Sequence, residues 1–293
     1  MSAKKHVMDF EGEPWELLRA RTRDGVIKGP ADVHPDSKPG YLGDRPEGEA
    51  TLAIRAERLS QLQELLYANG VSGNGKGASV LLVIQAMDTA GKGGIMRNVV
   101  GAMDPQGVET AAFKAPTEEE KSHHFLWRVR KHLPEPGFVA VFDRSHYEDV
   151  LIHRARQLTS LHTIERRYEE IRRFERELAD RNTRIVKVML HITKEEQQDR
   201  LAERLDRPDK FWKYAPGDVD ERAYWNEYMD AYRIAIEETD AGHAPWFIIP
   251  ANRKWYSRIA VQELLITALE SLELQWPPAD FDVAHEKRRL AES

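Results

Sequence analysis

The stretch that most limits what this chain can fold into runs from Val80 to Arg97, VLLVIQ-AMDTAGKG-GIMR. Val80 to Gln85 is an apolar, β-branched run of strand length, the mark of a strand buried on both faces of a parallel sheet. Ala86 to Gly94 follows as a small-residue loop carrying Gly91-Lys92, and from Ile95 to Met103 the spacing is helical. Strand, glycine-rich loop with lysine, helix is the context of a phosphate-binding loop. Such a loop exposes consecutive backbone N–H groups, the helix start adds a positive dipole end, and Lys92 adds a full charge. The match to G-x-x-x-x-G-K-[ST] departs at both ends: Ala86 stands at the first glycine and Gly93 at the hydroxyl residue that holds magnesium. A tight turn needing glycine for its backbone alone is the plain alternative. If the loop binds phosphate, another oxygen must hold the metal, and Asp88 inside the loop is the candidate.

Composition narrows the class. A chain of 293 residues suits one large α/β domain or two small ones. Its net charge of -6 gives no global basic field for nucleic acid. The absence of cysteine excludes disulfides, thiolate zinc sites and cysteine catalysis. No apolar run approaches membrane-spanning length, and MSAKKHVMDFEGEPW lacks the apolar centre of a signal peptide. The expectation is a cytoplasmic protein with neither nucleic acid nor membrane as a partner.

Residues 1–48 are rich in Gly, Pro and charge and read as a short helix near Trp15–Arg21 followed by an extended arm. Leu52, Leu59, Leu62, Leu65 and Leu66 give Glu49–Asn69 a helical pattern, and Ser72–Gly77 a flexible connector. After a turn at Asp104–Gly107, Val108–Phe113 reads as a strand. Thr117 and Glu120 form a capping box for a helix running to about His132. Phe138–Phe142, Arg184–Ile192 and Trp246–Pro250 read as further strands. Leu161–Arg181, Lys194–Leu205, Asp218–Thr239 and Arg258–Leu274 read as helices. Strands alternating with helices predict a parallel sheet with right-handed crossovers.

Asp143 ends an apolar strand about fifty residues after the loop, where a second carboxylate points from the strand end toward metal and phosphates. A carboxylate capping the next helix is the alternative. Arg144 beside it is placed to grip a phosphate oxygen. Arg200, Arg204 and Arg207 share one helical face, followed by Pro208-Asp209-Lys210-Phe211-Trp212-Lys213. A solvated, salt-bridged helix accounts for the charges alone; the basic loop after it suggests a lid that closes over phosphates. His123-His124 lack a third ligand nearby, and Ser145-His146 are sequence neighbours rather than a nucleophile–base pair. Trp212, Tyr214, Tyr224, Trp225, Tyr228 and Tyr232 read mainly as core or lid packing, with one of them free to stack on a base.

Six blocks in order, AMDTAGKGG, MDPQGVETAAFKAPTEEE, HHFLWR, FDRSHYEDVL, RPDKFWK and APWFIIPANRKWYSR, resemble the polyphosphate kinase 2 family over about residues 50 to 275. The resemblance implies a thymidylate-kinase-like P-loop fold: α/β, three layers, a five-stranded parallel sheet and a helical lid. It implies a domain at 49–280 with its lid at about 194–220, an N-terminal arm at 1–48 and a tail at 281–293. The implied activity moves a terminal phosphate, with Mg2+ or Mn2+, between inorganic polyphosphate and AMP, ADP or ATP, with GDP and GTP as further nucleotides, in a dimer or tetramer.

Carried over by position, Asp88 and Lys92 look like the loop's metal-and-acceptor carboxylate and phosphate lysine, and Asp143 and Arg144 like the second carboxylate and its arginine. Asp88 and Asp143 are the implied metal ligands. Ala90, Gly91, Gly93, Gly94 and Arg97 fall on the phosphate loop, and Arg204, Lys210 and Lys213 look like lid groups facing the chain. Glu148, in Tyr147-Glu148-Asp149-Val150, is similar to the acceptor position of the branch that takes both AMP and ADP. Two departures stand out: Thr89 replaces a usual Ala, and Asp143 an Asn common in that branch. The rivals are an ATP-dependent nucleoside monophosphate kinase and a non-catalytic nucleotide switch. A GTPase switch would want Asn-Lys-x-Asp, which does not occur in this sequence.

Overall fold

A computed structural model describes residues 10–73 and 77–293. Five strands form one parallel sheet in the order β2-β3-β1-β4-β5. They are β1 (Ser79–Ala86), β2 (Val108–Ala112), β3 (Val139–Asp143), β4 (Thr183–His191) and β5 (Trp246–Pro250). Every residue of β1 is buried. Side chains alternate across it: Val80, Leu82 and Ile84 enter one core, Leu81 and Val83 the other. Each such side chain stabilises the fold by about 1.5–3 kcal/mol, which fixes β1 at the centre.

Two helical layers cover the sheet. α2 (Arg45–Ser72), α3 (Lys92–Asn98) and α11 (Lys254–Glu270) pack against Leu82, Val141, Val188 and Ile249. α5 (Leu126–Arg130), α6 (Glu148–Ala155), α7 (Leu161–Asp180) and α10 (Trp225–Thr239) pack against Leu81, Phe142, Met189 and Trp246. This is the three-layer α/β fold expected. α2 and α11 approach so closely that a Cβ on Gly48 would lie 2.3 Å from the Trp255 ring.

Several boundaries differ from expectation. The helix near Trp15–Arg21 is a single turn, α1 (Pro14–Leu17). The chain then runs antiparallel to β5, with Ala20 N donating to Trp246 O (2.8 Å) and Ile248 N to Leu18 O (3.1 Å). An edge strand needs such partners. α2 starts at Arg45 because Asp44 and Glu47 cap each other reciprocally and Pro46 is tolerated in a first turn. Within the connector Ser72–Gly77, residues 74–76 lie outside the described residues. The helix expected over Ile95–Met103 is α3 followed by a 3-10 turn at Val100–Ala102.

The helix expected from Thr117 to His132 is two pieces, α4 (Glu118–Lys121) and α5. The Thr117–Glu120 box forms, but Ser122 Oγ donates to Glu119 O (2.7 Å) and closes the first turn. After α8 (Lys194–Asp206) come a 3-10 turn (Pro208–Lys213), α9 (Gly217–Glu221) and a second 3-10 turn (Arg222–Tyr224). Asp218–Thr239 is therefore not one helix. α11 begins at Lys254 and ends at Glu270 rather than spanning Arg258–Leu274. α12 (Val283–Ala291) is capped by Asp282.

Candidate active site

The loop leaves β1 at the C-terminal edge of the sheet, where ligands of open α/β sheets bind. Ala90 N donates to Met87 O (3.2 Å), and the backbone takes positive φ at Thr89 (65°) and Gly91 (123°). Glycine adopts that conformation freely; Thr89 holds it at a cost of about 1–3 kcal/mol. In the neighbouring strand Ile84 sits opposite Asp143, so Asp143 reaches the same edge. Arg144 also has positive φ (64°), with its N–H bonded to Ile84 O (3.0 Å). Its guanidinium turns back to the loop, Nη2 donating to Asp88 Oδ1 at 3.0 Å. Burial acts to lower the pKa of Arg144, but Glu148 and Asp88 outweigh it and raise it, so the group stays charged.

These residues wall a cavity of about 750 Å³. Asp88, Ala90, Gly91, Lys92, Gly93, Gly94, Arg97, Asp143, Arg144, Arg204, Lys210 and Lys213 all line it. Glu148 does not. It stands behind the wall at the start of α6, where burial raises its carboxyl pKa against the pull of Arg144 and Lys92. With the Gln85 amide oriented to accept from Ser145, its nitrogen donates to Glu148 Oε1 at 2.9 Å.

The common basic face of Arg200, Arg204 and Arg207 dissolves on folding. Arg200 is buried and bonded to backbone carbonyls. Arg204 lines the cavity but pairs with Asp218 (3.2 Å) and donates to Lys213 O (2.8 Å). Arg207 pairs with Asp209 (2.8 Å) in solvent. Lys210 is held by Glu203.

Sequence reasoning missed Lys114, Lys254 and Arg258, which also line the cavity. Lys114 follows Phe113 just beyond β2, and Lys254 opens α11 just beyond β5. The rule that ligands gather at the carboxyl ends of strands was the available signal. Lys92, Arg97, Lys114, Lys213 and Arg258 have neither an ion-pair partner nor a hydrogen-bond acceptor for their side chains among the described residues. Arg258 Nε is buried and unsatisfied. A cavity walled by cations without ion-pair partners and lined by loop N–H groups suits a polyanion.

Among the described residues no group of three His, Cys, Asp or Glu side chains is placed to hold a metal. Asp88 and Asp143 are two carboxylates in the wall of a cavity rich in cations. That donor set fits a hard cation such as Mg2+, which keeps waters and takes its remaining oxygens from substrate phosphates. His124 instead contacts Glu170 (3.2 Å), and His123 stacks on Trp127 (4.0 Å between centroids). Ser145 and His146 are fully buried. Of the aromatic set, Trp212 lines the cavity, while Tyr232 is in the core.

Comparison with known proteins places the chain. The family model described as polyphosphate kinase 2 matches residues 44–277. A Meiothermus ruber protein named AMP/ADP-polyphosphate phosphotransferase is 45% identical over 243 residues, covering 83% of this chain and 89% of its own length. A Rhodopseudomonas palustris protein named ADP-polyphosphate phosphotransferase is 41% identical, covering 77% of this chain and 80% of its own. The crystal structure of polyphosphate kinase 2 from Arthrobacter aurescens matches with a TM-score of 0.93 at 55% identity, over 98% of this chain and 99% of that one. The loop with its lysine, the carboxylate–arginine pair beside it and the cation-walled cavity thus sit on a chain that belongs to the polyphosphate kinase 2 family.

Proposed function

We propose that this protein transfers a terminal phosphoryl group between inorganic polyphosphate and AMP or ADP, in either direction, with GDP and GTP as further nucleotides. The observation that carries the reading is the set of five cations in one cavity that have no ion-pair partner or hydrogen-bond acceptor among the described residues. One nucleoside triphosphate does not need so many; a longer phosphate chain does. The names of the Meiothermus and Rhodopseudomonas relatives supply AMP and ADP as acceptors.

Residues 49–280 are the transferring unit, with 194–220 as its lid, 1–48 an arm and 281–293 a tail; the unit works as a homo-oligomer in the cytoplasm. The loop N–H groups and Lys92 hold the terminal phosphates of the chain, with Arg97, Arg258 and Lys114 further along it and Arg204, Lys210 and Lys213 covering it. An acceptor phosphate oxygen attacks the terminal phosphorus in line. The bond to the next chain oxygen breaks, and the shortened chain leaves with that electron pair. Lys92 and Arg144 neutralise charge on the transferring group, which is most of what such catalysis requires. Asp88 and Asp143 are the residues to hold Mg2+, or Mn2+ in its place, which lowers the repulsion between the two anions. Asp88 orients the acceptor from the cavity wall, and Glu148, behind that wall, acts on the acceptor through the charge of Arg144.

The test is to incubate purified protein with Mg2+ and polyphosphate, with AMP in one tube and ADP in another, and to separate products by ion exchange. ATP from both tubes supports the dual acceptor. ATP from ADP alone moves the chain to a diphosphate acceptor. Product that appears only when ATP replaces polyphosphate overturns the proposal in favour of an ordinary nucleotide kinase.

A further inference from the structure

Arg200 lines the substrate cavity, yet it has no hydrogen left to offer a substrate. Nε donates to Glu196 Oε1 (2.7 Å). Nη1 donates to the carbonyls of Thr89 (3.0 Å) and Ala90 (2.9 Å). Nη2 donates to those of Ala251 (2.7 Å) and Asn252 (2.9 Å). A guanidinium has five N–H donors, and all five are engaged. One turn earlier, Gln197 Nε2 donates to the carbonyl of Asp88 at 3.1 Å. Both side chains are buried. α8 therefore holds three successive carbonyls of the phosphate loop, Asp88, Thr89 and Ala90, and Arg200 ties them to the segment after β5.

The consequence follows from peptide geometry. In a planar trans peptide the C=O and the next N–H point opposite ways. Fixing the carbonyls of Asp88 and Ala90 on α8 turns the N–H groups of Thr89 and Gly91 away from α8. Neither N–H has a protein acceptor among the described residues. Thr89 supplies the reason a clamp is needed: with φ of 65° it sits in a conformation its side chain disfavours. Left alone, the loop relaxes, and a flipped peptide presents a carbonyl oxygen to an anion.

We propose that Arg200, assisted by Gln197, is a positioning residue that presets the phosphate loop by holding its carbonyls away from the substrate. It touches no substrate itself. The identity of the anion rests on the function proposed above; the clamp does not.

A preset loop has a particular kinetic signature. If only a fraction of molecules holds the competent loop, apparent affinity falls by that fraction, while saturating ligand selects the competent state and restores turnover. For Arg200→Ala the expected result is a polyphosphate KM raised about tenfold, with kcat at saturation within about threefold and the nucleotide KM unchanged. Low millimolar guanidinium ion should lower that KM and leave the wild type unaffected. Binding of tripolyphosphate by calorimetry, without turnover, should weaken by the same factor. If Arg200→Ala does not fold, Gln197→Leu removes the Asp88 tether, together with the oxygen that accepts from Arg222 Nη1 (2.9 Å), leaves Arg200 in place and should raise the same KM about threefold.

Two results would overturn the proposal. One is an unchanged KM and tripolyphosphate affinity in a folded Arg200→Ala or Gln197→Leu. The other is a fallen kcat at unchanged KM, the mark of a group acting on the transition state or on the fold as a whole. If the wild type fails to use polyphosphate, the proposed function fails, and the tripolyphosphate affinity ratio still decides for or against the clamp.

Discussion

Lys187, inside the sheet, and Lys92, at its edge, carry the same ammonium, and the protein treats them in opposite ways. Lys187 is fully buried on β4. Its Nζ donates to Glu175 Oε2 (2.7 Å), Tyr147 OH (2.9 Å) and Thr239 O (2.9 Å), which uses all three of its protons. Tyr147 OH in turn donates to Glu175 (2.8 Å), and His146 Nε2 lies 3.4 Å from the same carboxylate. Burial pushes the Glu175 pKa up, but Lys187 and His146 outweigh it and hold it below the usual carboxylate range. Burial pushes Tyr147 far up, so it remains a phenol. Lys92 has no protein acceptor among the described residues and lines an open cavity. A charge whose donors are satisfied internally is architecture; a surplus of unsatisfied donors is a site. The distinction lies in the partners and not in the residue type.

The largest effect expected on the site side is from Asp88→Asn. Turnover should fall by at least about a thousandfold, the scale of losing a preorganised electrostatic group, with an unchanged melting temperature. A near-normal rate would remove Asp88 from the mechanism. On the buried side, Glu175→Gln should cost about 3–5 kcal/mol of stability by stranding the Lys187 charge, read by urea unfolding. Replacing the pair together, Lys187→Met with Glu175→Leu, should recover most of it. Singles costing under about 1 kcal/mol would break the contrast. The sign with pH is set by the lowered Glu175 pKa. Its share of stability is present above the ordinary carboxylate pKa and is lost as pH falls through the lowered one.

Smaller effects test the site's rim. Lys213→Ala should raise the polyphosphate KM by a factor of about three to ten and flatten its salt dependence, as expected for an exposed charge worth about 1 kcal/mol. Lys210→Ala should do less, because Glu203 already holds that ammonium. Equal effects would show that Glu203 releases Lys210 on binding. The smallest effect concerns Glu148. Its raised pKa means the folded protein binds more protons, so stability falls as pH rises from the ordinary glutamate range through the raised value. Glu148→Gln should abolish that slope in a series of melting temperatures against pH, and an unchanged slope would assign it elsewhere.

How much of this was legible in the sequence depended on whether a local pattern decided it. β1 and its loop were readable because burial on both faces demands an unbroken apolar run, and the loop's chemistry lies in consecutive residues. Asp143 was readable because it ends a similar run. Lys114, Lys254 and Arg258 were not: they form no local pattern with the loop and are brought to the cavity by the order of strands. The arginine stripe misled because helical spacing tells which side chains share a face and not what that face meets. Arg200 meets loop carbonyls, Arg204 meets Asp218, and Arg207 meets solvent. Residues 117–132 broke into two helices at a serine whose hydroxyl turns back on its own backbone, a competition that capping signals alone do not reveal.

The strip that covers the edge of β5 sets an order of events. Leu18 to Ala20 bond to Trp246 and Ile248, and Arg21 reaches Asp240 across 219 residues of chain. On a ribosome the amino end emerges first, at roughly 5–20 residues per second, so these segments have to wait for the final strand before they can dock. Contacts of such separation add to loop-closure cost and slow folding. Until β5 is in place, the partner for that early segment does not exist. The first part of the described chain to be synthesised is thus among the last to find its place.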